Sequence, residues 1–157
     1  MEKYFKLYAN YCLLENREPS SIGEFCRASN LDTEEFLTHF ASIEALRSGL
    51  LSSCLENLHN RLSKDEEFQE FSLRDQLMTY YFGIFEALMP YRNYLIQRYK
   101  AWKNVPDRKI EWHPFYREHV AFIDSLMQKA YTSGDLPRRS GLEKYGPKGF
   151  QLVFTYL

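Results

Sequence analysis

Asn30-Leu31-Asp32-Thr33-Glu34-Glu35-Phe36-Leu37-Thr38-His39-Phe40-Ala41-Ser42-Ile43-Glu44-Ala45-Leu46 holds two helix starts in close succession. Asp32 is an N-cap residue with Glu35 three positions on, a spacing that satisfies orphan backbone N–H groups and stabilises a helix start by about 1 kcal/mol. The helix that follows is expected to place Phe36, Leu37 and Phe40 on its inner side. Ser42 is a second N-cap. It opens a longer amphipathic helix through Leu46, Leu50, Leu51, Cys54, Leu55, Leu58 and Leu62, whose spacing follows the 3.6-residue period. Upstream, Ser21-Ile22-Gly23-Glu24 is a capping box that starts a short helix with Ile22, Phe25 and Cys26 inward. Before that, Tyr4 to Leu14 has helical spacing with a wide apolar face.

Beyond residue 62 the pattern stays helical. Ser63 to Glu70 is acidic and polar and reads as a connector. Ser72 opens a helix carrying Leu73, Leu77, Tyr80, Tyr81, Ile84, Phe85, Leu88 and Met89, and Pro90 is placed to end or kink it. Tyr91 to Trp102 resumes the period, and Asn104 to Asp107 reads as a loop. A helix from Trp112 or Pro114 to about Tyr131 ends at Gly134 by glycine capping. Arg138 to Lys144 is a basic loop, and Pro147 stands where a helix can begin. No alternating strand pattern occurs. The expected fold is all-α with about eight helices.

Three helices, the second and third joined by a tight turn, form a helix-turn-helix pattern. The string from Asn30 to Leu46 resembles the signature of TetR-family transcriptional regulators, in which Phe36, His39-Phe40, Ser42, Glu44 and Leu46 fall in register. The resemblance is close over roughly residues 5–50 and architectural beyond. It implies a helix-turn-helix DNA-binding-like domain over 1–48 and a helical effector-binding and dimerisation domain over 49–157, with an apparently truncated C-terminus. It also implies a ligand-responsive regulator that binds duplex DNA as a homodimer. The implied DNA contacts are Ser21, Arg27, Thr33, Thr38, His39 and Arg47. The implied pocket for a small apolar effector or lipid draws on Tyr80, Tyr81, Phe85, Glu86, Met89, Tyr94, Phe115, Phe122 and Met127. Glu86, in an apolar run, is expected to pair with Arg92 or a basic residue of the last third.

Charge supports a rival reading. Formal net charge is −1, but residues 1–50 sum to −3, 51–89 to −4 and 90–157 to +6. Leu37 and Ile43 replace a tyrosine and a lysine that commonly touch phosphates in the family. The first turn of the would-be recognition helix is Asp32-Thr33-Glu34-Glu35, and affinity for DNA comes mostly from lysine and arginine. The alternative is a TetR-fold protein that has lost DNA binding and holds a lipid or an isoprenoid such as a quinone.

Catalysis is not expected. The four histidines form no His-Glu-x-x-His motif, and His113 and His119 read as surface helix residues. There is no glycine-rich phosphate loop, no metal site and no cofactor motif. Cys12, Cys26 and Cys54 are too scattered for a zinc site or a disulfide framework and fit the cytoplasm. No secretory signal or membrane-spanning run is present. The closing Gly149 to Leu157 is nearly all apolar, which fits a truncated chain or a helix that packs on a partner.

Overall fold

The computed structural model describes residues 1–101 and 105–137 and, beyond them, Gly141, Gly146 and Gly149. The described residues form helices and turns with no strand, so the fold is all-α as expected. The elements are α1 (Glu2–Glu15), α2 (Ile22–Ala28), α3 (Thr33–His39), α4 (Ile43–Lys64), α5 (Glu66–Glu70), α6 (Leu73–Leu88), a 3-10 turn (Met89–Tyr91), α7 (Arg92–Ala101) and α8 (Val105–Ser133).

The starts follow the caps. Ser21 Oγ accepts from Glu24 N at 3.1 Å, Asp32 Oδ1 from Glu35 N at 2.8 Å and Ser42 Oγ from Ala45 N at 3.1 Å. The Glu24 carboxylate reaches back one residue further than a capping box requires, accepting from Ser20 N at 2.7 Å. α1 ends with Asn16 in the left-handed region at φ 52°, and Asn30 behind α2 stands at φ 51°. Gly134 follows α8 at φ 86°, where a glycine is favoured.

Four expectations change. The connector at 63–70 is helical: α4 runs on to Lys64, and α5 is a single turn capped by Asp65 Oδ1 on Phe68 N, held by the burial of Phe68. Val105–Asp107 is the first turn of α8, where Pro106 needs no intrahelical N–H. Pro114 lies inside α8 and does not start it; burial of Phe115, Ile123, Leu126 and Met127 outweighs the one backbone bond the ring removes. Fourth, Leu37 is not inward but 49% exposed. Phe36 faces the core, and its neighbour is turned about 100° around the helix. The basic loop at 138–144, the start at Pro147 and the apolar ending at 149–157 lie outside the described residues, the isolated glycines apart.

Packing divides the chain into two compact units. The first combines Met1–Ser53 with Leu88–Trp112. The second combines Cys54–Ala87 with the described residues from His113 onward. This division is discontinuous, whereas the sequence reading drew one boundary after residue 48.

Aromatic rings build the core of the first unit. Phe36 of α3 meets Tyr4 of α1 and Phe25 of α2 edge-on, with centroids 5.9 and 5.7 Å apart. Tyr8 meets Phe25 at 6.1 Å and Tyr94 of α7 at 5.6 Å, again edge-on. This arrangement sets the positive edge of one ring on the negative face of the next. In the second unit Gly83 of α6 lies close to α4. A Cβ there would meet Leu58 Cδ1 at 2.5 Å, so the glycine serves close approach and leaves no room for a ligand at that point.

Candidate functional site

The α2–α3 surface is where the sequence placed DNA contacts. Ser21, Arg27, Thr33, Thr38 and His39 are all exposed there. Some are already engaged: Thr38 Oγ1 donates to Glu35 O at 2.7 Å and Arg27 Nε to Gly23 O at 3.1 Å. His39 lies against Tyr4, centroids 5.2 Å apart. Arg47 is half-buried, and its Nη1 donates to both Glu18 oxygens, at 3.1 and 2.9 Å. Arg17 is also engaged, on Glu24 and on Glu18 O. Lys6 pairs with Glu2. α3 itself carries no lysine or arginine, and Asp32, Glu34 and Glu35 are exposed at its start.

Glu18 and Glu24 tie down the turn between α1 and α2. Glu18 accepts from Tyr8 Oη at 2.7 Å, from Arg47, and faces Arg98 Nη1 at 3.4 Å. Glu24 accepts from Arg17, from Ser20 N and Oγ, and from Tyr11 Oη at 2.8 Å. The Arg17 guanidinium and the Ser20 donors hold the Glu24 carboxyl well below the usual carboxylate range. Beside this cluster is a cavity of about 360 Å³ in the first unit. Cys12 and Tyr94 form its apolar side, and Asn16, Arg17, Glu18, Gln97 and Arg98 its polar side. Gln97 Nε2 donates to Cys12 O at 3.2 Å and to Asn16 Oδ1 at 2.6 Å, fixing α7 to the end of α1. Arg17 is half-exposed and uses few of its five donors on the protein. Burial pushes the Cys12 thiol up to about 11, so it is not a nucleophile at neutral pH.

In the second unit the expected pocket residues separate. Tyr80, Phe115 and Met127 are core side chains, and Phe122 is half-buried. Tyr80 of α6 stands between two histidines: its Oη is 3.0 Å from His119 Nδ1 on α8 and 3.3 Å from His59 Nε2 on α4. A phenol has one hydrogen, so it donates to one imidazole and accepts from the other. The rings are layered: His59 lies on Phe122 at 4.2 Å and 9°, and Tyr80 on His119 at 5.5 Å and 17°. Burial raises the Tyr80 phenol far above its ordinary value, so it titrates nowhere near neutrality. His119, expected on the surface, is fully buried.

Tyr81 is half-buried, its phenol raised to about 12 by burial. With Phe85 it lines an open apolar face on α6, whose other described lining residues are Leu73, Arg74, Leu77, Met78 and Phe82. Glu86 is not in an apolar site. It is exposed and pairs with Arg61 at 2.8 Å, not with Arg92. Met89 is 64% exposed, and Tyr94 belongs to the first unit.

No protein-family model, curated protein or solved structure matches this chain. Among the described residues, no group of three or more His, Cys, Asp or Glu side chains could hold a metal ion, and no helix is long and apolar enough to cross a membrane.

Sequence reasoning missed the first-unit cavity and the His59–Tyr80–His119 cluster. The cluster is spread over three helices, with 21 and 39 residues between partners. Its one sequence signal was a histidine on each of two helices at apolar-face positions. The cluster has a measurable consequence. Burial lowers the His59 pKa from its ordinary 6.5, so the folded state prefers the neutral ring. The unfolded chain then binds the proton more readily. The contribution is fully present above the unfolded value and is lost as pH falls below it. Urea midpoints are expected to drop between about pH 7.5 and 5.5, and His59→Phe, which keeps the stack on Phe122, should flatten that slope. An unchanged slope would place the proton uptake elsewhere.

Proposed function

We propose that this chain is a TetR-like helix-turn-helix protein that has given up DNA readout and acts as a binding protein, not an enzyme, for a small ligand with an apolar body and an acidic group. The observation that carries this reading is the charge of α3: three exposed carboxylates at its start, no cation along it, and Arg17 and Arg47 engaged by Glu24 and Glu18. Each carboxylate set about 4 Å from a phosphate opposes binding by about 1 kcal/mol in water and about 4 at an effective dielectric near 20. With no lysine or arginine on the helix, nothing along α3 offsets this.

The ligand reading rests on the first-unit cavity. Its volume, about 360 Å³, is that of a small-molecule site. Cys12 and Tyr94 suit an apolar body, and the guanidiniums of Arg17 and Arg98 suit a carboxylate. A bound acid would compete with Glu18 and Glu24 for those guanidiniums and so loosen the α1–α2 turn. Cys12, Cys26 and Cys54 are buried and joined by no disulfide, which supports a cytoplasmic setting.

A second reading, a DNA-binding regulator, is favoured by one observation: α2, a tight turn and α3 keep the helix-turn-helix order with Thr33, Thr38 and His39 exposed. Fluorescence anisotropy with generic duplex DNA separates the two. No binding is expected even at about 50 mM salt; a salt-dependent Kd of about 10⁻⁴ to 10⁻⁶ M would overturn the proposal in favour of the regulator. Decanoate should raise the melting temperature more than decanol does, and Arg17→Gln should erase the difference. Equal effects of acid and alcohol would sink the acidic-ligand part.

A further inference from the structure

α6 presents two parallel ridges at i, i+4 spacing. One is Leu73, Leu77, Tyr81 and Phe85; the other is Arg74, Met78, Phe82 and Glu86. Large apolar side chains on them face solvent: Phe82 is 70% exposed, and Met78 and Phe85 47% each. A contiguous apolar face of this kind marks an interaction surface.

The second ridge is symmetric in a particular sense. It begins on a cation, ends on an anion and is apolar between them. Arg74 and Glu86 are 12 residues apart in sequence, so about 18 Å apart along the axis. Turned antiparallel on a second copy about a two-fold axis midway, Arg74 of each chain falls opposite Glu86 of the other. Met78 falls opposite Phe82, a favourable sulfur–aromatic pairing. A parallel arrangement would set arginine on arginine and glutamate on glutamate. Such self-complementarity is what a two-fold interface requires. Among the described residues no ion pair engages Arg74, and Glu86 is held by Arg61 in an exposed pair that leaves it open to a second guanidinium.

We propose that the exposed face of α6 is a homodimer interface, in which the α6 helices of two chains pack antiparallel with Arg74 of each facing Glu86 of the other. End charges of this type choose partner and orientation, while the apolar centre supplies affinity.

Analytical ultracentrifugation of the full chain over a concentration series tests this. The wild type is expected to dimerise. Arg74→Glu and Glu86→Arg should each weaken the dimer by about tenfold, because the two-fold axis counts every change twice. The double variant Arg74→Glu/Glu86→Arg reverses both ends and should return the dissociation constant to within about threefold of wild type. Phe82→Asp should give monomers, with circular dichroism confirming that the helices persist. A wild type that is monomeric at about 100 µM overturns the interface, since that is far weaker than a specific dimer of this kind. A dimer indifferent to either charge reversal, or one that the double variant fails to rescue, overturns the antiparallel pairing.

Discussion

Phe36→Ala is expected to lower the unfolding free energy by about 3–5 kcal/mol, the range for deleting a fully buried aromatic ring. Phe36 is fully buried and stands at the meeting point of three helices, touching the rings of Tyr4, Phe25 and Phe40. The loss is a large share of the 5–15 kcal/mol that a domain typically has. Leu37→Ala, one residue along and 49% exposed, should change stability by under about 0.5 kcal/mol. Urea denaturation followed by circular dichroism measures both. Equal effects would mean that α3 does not pack through Phe36.

Tyr80→Phe should cost about 2–3 kcal/mol although it removes a single oxygen. That oxygen serves both the buried His119 Nδ1 and the half-buried His59 Nε2, and stranding such polar partners costs more than the hydrogen bonds themselves contribute. The same change in a His59→Phe background should cost less, because one stranded partner is already gone. Simple additivity would show that the contact between Tyr80 and His59 contributes nothing.

Much of this was legible in the chain, and the reasons are local. Asp32, Ser21 and Ser42 announced their helices because a cap and the N–H groups it serves lie within three residues. Phe36 and Phe40 announced a buried face because helical periodicity repeats within one turn. α5 escaped because five residues carry no period, and only the distant packing of Phe68 makes them helical. Pro114 misled because its local penalty is real, but the burial that overrides it comes from elsewhere in the fold. The candidate site was less legible still. Tyr94 is expected in a pocket with Tyr80 and Phe115, yet it belongs to the first unit, where the cavity it lines also takes Cys12 and Asn16 from the end of α1, far away in sequence. Tyr80 and His119 are 39 residues apart, and nothing in the spacing of either tells of the other. Arg47 looked like a free cation because Glu18, which holds it, is 29 residues away.

The three thiols give the protein an internal record of its own breathing. Cys12 and Cys26 are sealed in the first unit and Cys54 in the second, each no more than 6% exposed. An alkylating reagent can reach each only when its surroundings open, so modification rates report local opening free energies. If Cys26 and Cys54 are modified at one common rate, the two units open as one cooperative body. If one runs ahead, the chain contains a weaker half, and the slower thiol marks the part that outlasts it.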